Sequence, residues 1–347
     1  MSDVHGAASG DVSRETAPHY PVGSVTPGAG GSVAIGEDSR ETSTPERSDD
    51  TPIATETATA LRVLGHTGET FQRPGRRRVV TVANQKGGVG KTTTTVNVAA
   101  AMALHGLRVL VVDLDPQGNA STALGIDRHA HIPSVYDLLI EGKSLGDVMV
   151  DVADVPGLSC VPATIDLAGA EIELVPLVAR ELRLRRALAD FNGELDYVFI
   201  DCPPSLGLLT VNALAAGQEV LIPIQCEYYA LEGVGQLLGN IEMVKSHLNP
   251  TLFVSTVLLT MYDGRTRLAS QVADDVRAHF GSAVLRTLIP RSVRVSEAPS
   301  YGQTVMTYDP ASPGALCYLD AAREIAERGL DSRADGFGAA PVEGSAP

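Results

Sequence analysis

The chain has 347 residues, 44% of them hydrophobic, and a formal net charge of −15. That is apolar material enough for one or two domains, and too much negative charge for a general nucleic-acid coat, so any such contact must come from a local basic patch. The four cysteines (Cys160, Cys202, Cys226, Cys317) lack CxxC spacing, the eight histidines lack ligand spacing, no apolar run approaches the ~20 residues of a membrane span, and no signal peptide is evident; these features point to a soluble intracellular protein with free thiols and no zinc site.

Residues 1 to about 75 are rich in Gly, Ser, Thr, Pro, Asp and Glu and poor in large apolar side chains. Such a segment cannot bury enough surface to offset chain entropy, which predicts a disordered acidic tail. Within it only Ala60–Leu64 (ALRVL) is a candidate for a short ordered or partner-binding piece. Gly30-Gly31 has no strand or helix around it and supports no phosphate reading. Arg76, Arg77 and Arg78 read as a solvated boundary. Residues 331–347 resemble a second tail, which leaves an ordered domain over 76–330.

That domain opens with VVTVANQKGGVGKTTTT. Val79, Val80, Val82 and Ala83 predict a buried parallel strand. Gly87, Gly88 and Gly90 permit a loop too tight for side chains, and Thr92–His105 reads as a helix stopped by Gly106. A strand, a glycine-rich loop and a helix N-terminus together make an anion nest for phosphates. Lys91 would reach the β- and γ-phosphates, and the Thr92 hydroxyl would ligate Mg²⁺. The plain GxxxxGK[ST] pattern wants a glycine where Gln85 stands; instead a second lysine, Lys86, opens KGGVGKT.

Further along, strand and helix patterns alternate, predicting an α/β fold with a mostly parallel sheet covered by helices on both faces. Arg108–Asp113 is a strand whose end carries Asp113 and Asp115 on one face. Gly157–Pro162 is a short strand and Leu167–Phe191 a helix. Asp196–Asp201 is an apolar strand that delivers Asp201 at its tip. Glu219–Ile224, Leu252–Leu259 and Val284–Ile289 are further strands, while Arg265–Phe280 and Pro313–Arg328 are helices. Carboxylates at strand C-terminal ends lie where open α/β sheets bind ligands.

KGGVGKT resembles the deviant Walker A motif of the ParA/Soj/MinD family of P-loop ATPases, and the likeness runs over residues about 78 to 328. VDLDPQGNAST, IDCPPSLGLLTVNAL, EYYALEG, LTMYDGRTRLASQV and IPRSVRVSEAPSYG narrow it to chromosome-partitioning ParA/Soj. A MinD-like membrane-associated cell-division or polarity switch would want a C-terminal amphipathic helix, which a Gly-, Ala- and Pro-rich ending does not predict. A nitrogenase iron protein would want cluster cysteines that Cys160 and Cys202 do not provide.

The resemblance implies a homodimer that sandwiches ATP and Mg²⁺, hydrolyses ATP, binds DNA non-specifically when ATP-loaded, answers to a ParB-like centromere-binding partner and works in the cytoplasm at the nucleoid. It assigns Lys86, Lys91 and Asp115 to catalysis, with Lys86 crossing to the partner's nucleotide and Asp115 orienting the attacking water. It places Lys86, Gly87, Gly88, Val89, Gly90, Lys91, Thr92, Thr93 and Pro290 at the nucleotide, and Thr92, Asp113 and Asp201 around the Mg²⁺. Gln117-Gly118-Asn119 would sense the γ-phosphate. Arg265 and Arg294 match the DNA-contacting arginines, with Lys245, Arg267 and Arg291 as neighbours that could widen the patch. Ser292 departs from the family's usual IPRN segment.

Overall fold

The structure, a computed structural model, describes residues 51–129 and 132–331. The two expected tails therefore lie mostly outside the described residues. Eight strands form a single sheet: β1 (Arg78–Val82), β2 (Val109–Asp113), β3 (Val150–Asp151), β4 (Leu158–Val161), β5 (Tyr197–Asp201), β6 (Glu219–Gln225), β7 (Phe253–Tyr262) and β8 (Val284–Pro290), in the order β3-β4-β2-β5-β1-β6-β7-β8. Every neighbouring pair is parallel except β3 with β4 at one edge.

Helices cover both faces, and the two-residue strand period divides the core between them. Val79, Leu110, Val112, Val198 and Ile200 point into one layer. They pack under α5 (Leu167–Leu174), α6 (Arg183–Asp190), α7 (Leu208–Ala216), α8 (Glu232–His247) and α9 (Arg267–Phe280), which follow α1 (Pro52–Val63), α2 (Lys91–Leu104), α3 (Asn119–Ala123) and α4 (Leu145–Val148) in the chain. Val80, Val82, Val109, Val111, Tyr197 and Phe199 point into the other layer, under α1, α2 and the closing helices α10 (Val293–Glu297), α11 (Val305–Tyr308) and α12 (Pro313–Asp331). All five residues of β1, β2 and β5 are buried, which is why these strands read as continuous apolar runs rather than alternating ones. Register places Val82 beside Asp201 and Asp113 beside Asp201. The carboxyl ends of the three central strands thus converge beneath the glycine-rich loop.

Three expectations need correction. Residues 51–75, expected to belong to the tail, carry a helix and buried side chains. Thr51 caps α1 by accepting from the Ala54 N–H (3.2 Å) and Pro52 occupies its first turn, a favoured N-terminal arrangement. Val63 at its other end is fully buried, and Phe71 beyond it stacks on His105 with ring centroids 4.8 Å apart. Gly65 is left-handed, and a Cβ there would lie 2.1 Å from the Leu104 carbonyl oxygen, so only glycine lets the chain turn onto α2.

The single helix expected over Leu167–Phe191 is two, α5 and α6. Pro176 cannot continue the hydrogen-bond ladder, and Ala179 is left-handed (φ 52°) before the chain winds up again at Arg180.

Of the three arginines expected at a solvated boundary, Arg78 is buried and Arg77 half-buried. Arg78 is 8% exposed; its guanidinium forks onto Glu219 of β6 (2.6 Å for each bond) and also donates to the Tyr197 hydroxyl and the Ile325 carbonyl. Burial works against its charge, but the Glu219 carboxylate outweighs it and the pKa is raised. Arg77 donates to the carbonyls of Leu188 and Phe191, tying the start of β1 to the end of α6.

Candidate phosphate-binding site

The loop between β1 and α2 is built from its backbone outward. Gly88 and Gly90 are left-handed (φ 75° and 88°), and Gly90 is the residue that opens α2. Cβ atoms at Gly87 and Gly88 would meet nothing within 4 Å, so these two glycines border open space. Neighbouring strands fasten the rest. Thr260 of β7 donates to the Val89 carbonyl (2.8 Å), and Asn84 accepts from the Lys86 N–H (3.1 Å) while donating to Pro223 of β6 (2.8 Å).

Lys91 is only 7% exposed, and among the described residues its ammonium has a single hydrogen bond, a long one (3.4 Å) to the Lys86 carbonyl. Burial lowers its pKa, opposed by the charges of Asp201 and Asp115. A buried ammonium so thinly satisfied is costly unless an anion meets it. A phosphate in the open space above Gly87 and Gly88 would supply that anion. Thr93 follows in the first turn of α2, half-buried.

Asp201 sits at the tip of β5, fully buried. Its Oδ2 accepts from the Thr92 hydroxyl (2.7 Å) and its Oδ1 from the Thr95 hydroxyl (3.0 Å). Burial raises its pKa first, then the charge of Asp113 on the adjacent strand, against the two threonines. Asp113 is raised as well, by burial, although Ser121 lowers it. A threonine hydroxyl and a carboxylate are hard oxygen donors of the kind Mg²⁺ takes alongside phosphate oxygens and water. Among the described residues no group of three or more His, Cys, Asp or Glu gathers as a metal site.

The other expected site residues fall into distinct places. Both oxygens of Asp113 are engaged: Oδ2 accepts from the Ser121 amide and hydroxyl (2.8 and 2.6 Å), Oδ1 from the Asp115 N–H (3.2 Å). It thus fastens α3 to the sheet and holds Asp115. Asp115 is 7% exposed and uses Oδ1 for the Gln117 N–H (3.0 Å). Lys86, at the mouth of the loop, lies 3.6 Å from Glu227 of its own chain, which also faces Arg291 at 3.7 Å. Pro290 ends β8, three strands from β1.

Arg265 and Arg294 pair with carboxylates outside the loop. Arg265 has a 91% exposed side chain forked onto Asp263 (2.9 Å), whose pKa it holds down at about 2. Arg294, in α10, pairs with Glu297 (3.3 Å) and Asp309 (3.2 Å).

Sequence reasoning missed Asn84, Thr95, Ser121, Glu227 and Thr260. Thr95 alone had a visible signal: in TTTT, positions 92 and 95 share one helix face.

Comparison with known proteins agrees with this geometry. A family model described as an AAA domain matches residues 77–254. The chain is 53% identical over 252 residues to the sporulation initiation inhibitor protein Soj of Bacillus subtilis, covering 73% of this chain and 99% of that protein. It is 52% identical over 259 residues to the chromosome partitioning protein ParA of Caulobacter vibrioides, covering 74% and 97% respectively. Among solved structures, a Mycobacterium smegmatis protein titled cobyrinic acid a,c-diamide synthase, with a bound ATP analogue and magnesium, is 41% identical with a TM-score of 0.64, over 76% of this chain and 98% of that one. The septum site-determining protein MinD of Pyrococcus horikoshii, complexed with Mg-ADP, is 26% identical with a TM-score of 0.58, over 72% and 96%.

Proposed function

Because the chain belongs to the ParA/Soj family of P-loop ATPases, we propose that it is a DNA-partition switch: an ATPase that dimerises around ATP and Mg²⁺, binds DNA without sequence preference in that state, and is reset by a ParB-like partner. The observation that carries the ATPase part is the buried, thinly satisfied Lys91 beside a glycine loop open to solvent, with the Thr92–Asp201 pair next to it. The partition part is supported by the names of the relatives at about 50% identity. The cobyrinic acid a,c-diamide synthase activity by which the M. smegmatis protein is named has weaker support, at 41% identity.

Phosphoryl transfer needs positioning and charge neutralisation more than covalent help. The loop amides and Lys91 would hold the β- and γ-phosphates. Thr92 and Asp201 would hold Mg²⁺, which neutralises phosphate charge when bound. Asp113, with both oxygens committed, acts behind Asp115 by fixing its backbone, and Asp115 orients water through the oxygen that Gln117 does not use. Lys86 would leave Glu227 and cross to the partner's nucleotide. A lysine required from the second subunit ties turnover to dimerisation and makes unstimulated hydrolysis slow.

A MinD-like membrane role is the contrasting reading. Among the described residues no helix is long and apolar enough to cross a membrane, and the expected non-amphipathic ending lies outside the described residues. Sizing the chain with ATP and Mg²⁺ tests the switch. Wild type should dimerise transiently and Asp115→Ala should accumulate as an ATP-bound dimer. Lys86→Ala should bind ATP yet hydrolyse none. Normal partner-stimulated hydrolysis by Asp115→Ala would remove the water-orienting role.

A further inference from the structure

A second cavity, lined by none of the phosphate-loop residues, has a volume of about 800 Å³. It lies between the segment Leu138–Gly146 and helix α6 with its following loop. Four cationic side chains line it (Lys143, Arg183, Arg185 and Arg186) against one carboxylate, Asp190. In a chain of net charge −15 this is a local reversal of sign.

Lys143 is neutralised by Asp137 and Glu141. The arginines are not. Arg183 and Arg185 donate to the carbonyls of Ile140 (3.3 Å) and Leu248 (3.1 Å) instead of to carboxylates. Among the described residues the buried Nε of Arg183 has no hydrogen-bond partner, an orphan donor of the kind native proteins seldom keep. Arg186 is exposed, one helical turn from Arg183. Like charges so placed cost a few tenths of a kcal/mol unless an anion lies between them.

Leu138, Leu145, Leu182 and Phe191 give the wall an apolar part, with Ser144 and Asn192 as its uncharged polar groups. The Phe191 ring lies against two glycines, since an added Cβ would stand 2.3 Å from it at Gly193 and 3.9 Å at Gly146. The volume falls within the range of small-molecule sites, which are typically mostly apolar with a few placed polar groups.

We propose that this cavity binds a small organic phosphate, its phosphoryl group between the guanidinium groups of Arg183 and Arg186 and its organic part against Phe191 and the leucines. Guanidinium forks match phosphate oxygens in pairs. The site shares no residue with the phosphate loop, so it stands or falls apart from the ATPase reading.

The test is calorimetric titration of the full chain, saturated with ADP and Mg²⁺ to fill the phosphate loop, with guanosine 5′-monophosphate and with inorganic pyrophosphate. The nucleotide should bind, and several-fold more tightly than pyrophosphate. Arg186→Gln, at an exposed position, should weaken it about tenfold, the loss of one charge-assisted contact, and leave ADP affinity and melting temperature unchanged. Arg183→Gln should do the same, at some cost in stability from the Ile140 contact. No heat from either compound at millimolar concentration would overturn the proposal, as would affinity indifferent to Arg186→Gln. Pyrophosphate binding as tightly as the nucleotide would overturn the organic part of it.

Discussion

Asp201→Asn should stabilise the nucleotide-free chain while abolishing its use of Mg²⁺. The carboxylate is fully buried beside Asp113, and its pKa is raised by burial and by that neighbour's charge. A group whose folded pKa lies above its unfolded value favours folding at low pH, and that contribution is lost as pH rises past the ordinary value of about 4 and through the raised one. At neutral pH the ionised carboxylate is therefore a burden on the empty fold. A tenfold change in proton affinity between the two states corresponds to about 1.4 kcal/mol, so a gain of ~1–3 kcal/mol is expected. The amide keeps an oxygen for the Thr92 hydroxyl, and the Thr95 hydroxyl can rotate to accept from its NH₂. Urea unfolding at pH 7.5 should show the gain, and at pH 5 it should shrink. Calorimetry with ATP should show that Mg²⁺ no longer strengthens binding. A less stable variant that retains Mg²⁺-dependent binding would refute the reasoning.

Other substitutions probe the scaffold and the loop. Phe71→Ala should cost about 3 kcal/mol in urea unfolding, because it removes a buried ring stacked on His105; a loss under ~1 kcal/mol would mean that the segment after α1 does not pack. The Glu324 carboxylate accepts from the Arg286 and Thr287 N–H groups of β8 and from Arg328. Burial alone would raise its pKa, yet these donors lower it. A lowered pKa gives stability present above the ordinary value of about 4.3 and lost as pH falls through the folded one. Glu324→Gln should then cost ~1–3 kcal/mol at pH 7 and much less at pH 3, and a pH-independent cost would count against the charge argument. Lys91→Ala should abolish ATP binding in equilibrium dialysis, since the loop loses its main counter-charge, and unchanged affinity would discard the site.

The central strands and the phosphate loop could be read from the sequence because each carries a local signature. β1, β2 and β5 are buried on both faces and so appear as apolar runs, and two of them end in the aspartates that reach the site. The loop announces itself through glycines that the turn requires. What stayed hidden depends on partners distant in sequence. Arg78 looks like any surface arginine until Glu219, from another strand, forks onto it. The polar composition around α1 conceals two anchors, Val63 and Phe71, whose pockets are formed by α2 and α12. Pro176 was visible, but the apolar pattern on either side of it ran on at helical spacing. Asp113 shared its sequence signal with Asp115; only the bonds from Ser121 distinguish an aspartate that braces the site from one that faces it.

The central claim is that ATP switches the chain onto DNA, and the most direct measurement is binding to unrelated DNA sequences with ATP, with ADP and without nucleotide, across a range of salt. Arg265 and Arg294 each rest on carboxylates of their own chain, so a single subunit should offer DNA little net charge, and paired subunits should bind through multivalency. The expected result is binding with ATP alone, equal for all sequences and falling steeply with salt as phosphate counterions are released. Arg265→Ala or Arg294→Ala should each reduce the salt slope by about one per subunit contact while leaving ATP-dependent dimerisation intact. Equal binding in all three nucleotide states, or full binding by the double substitution, would contradict the claim.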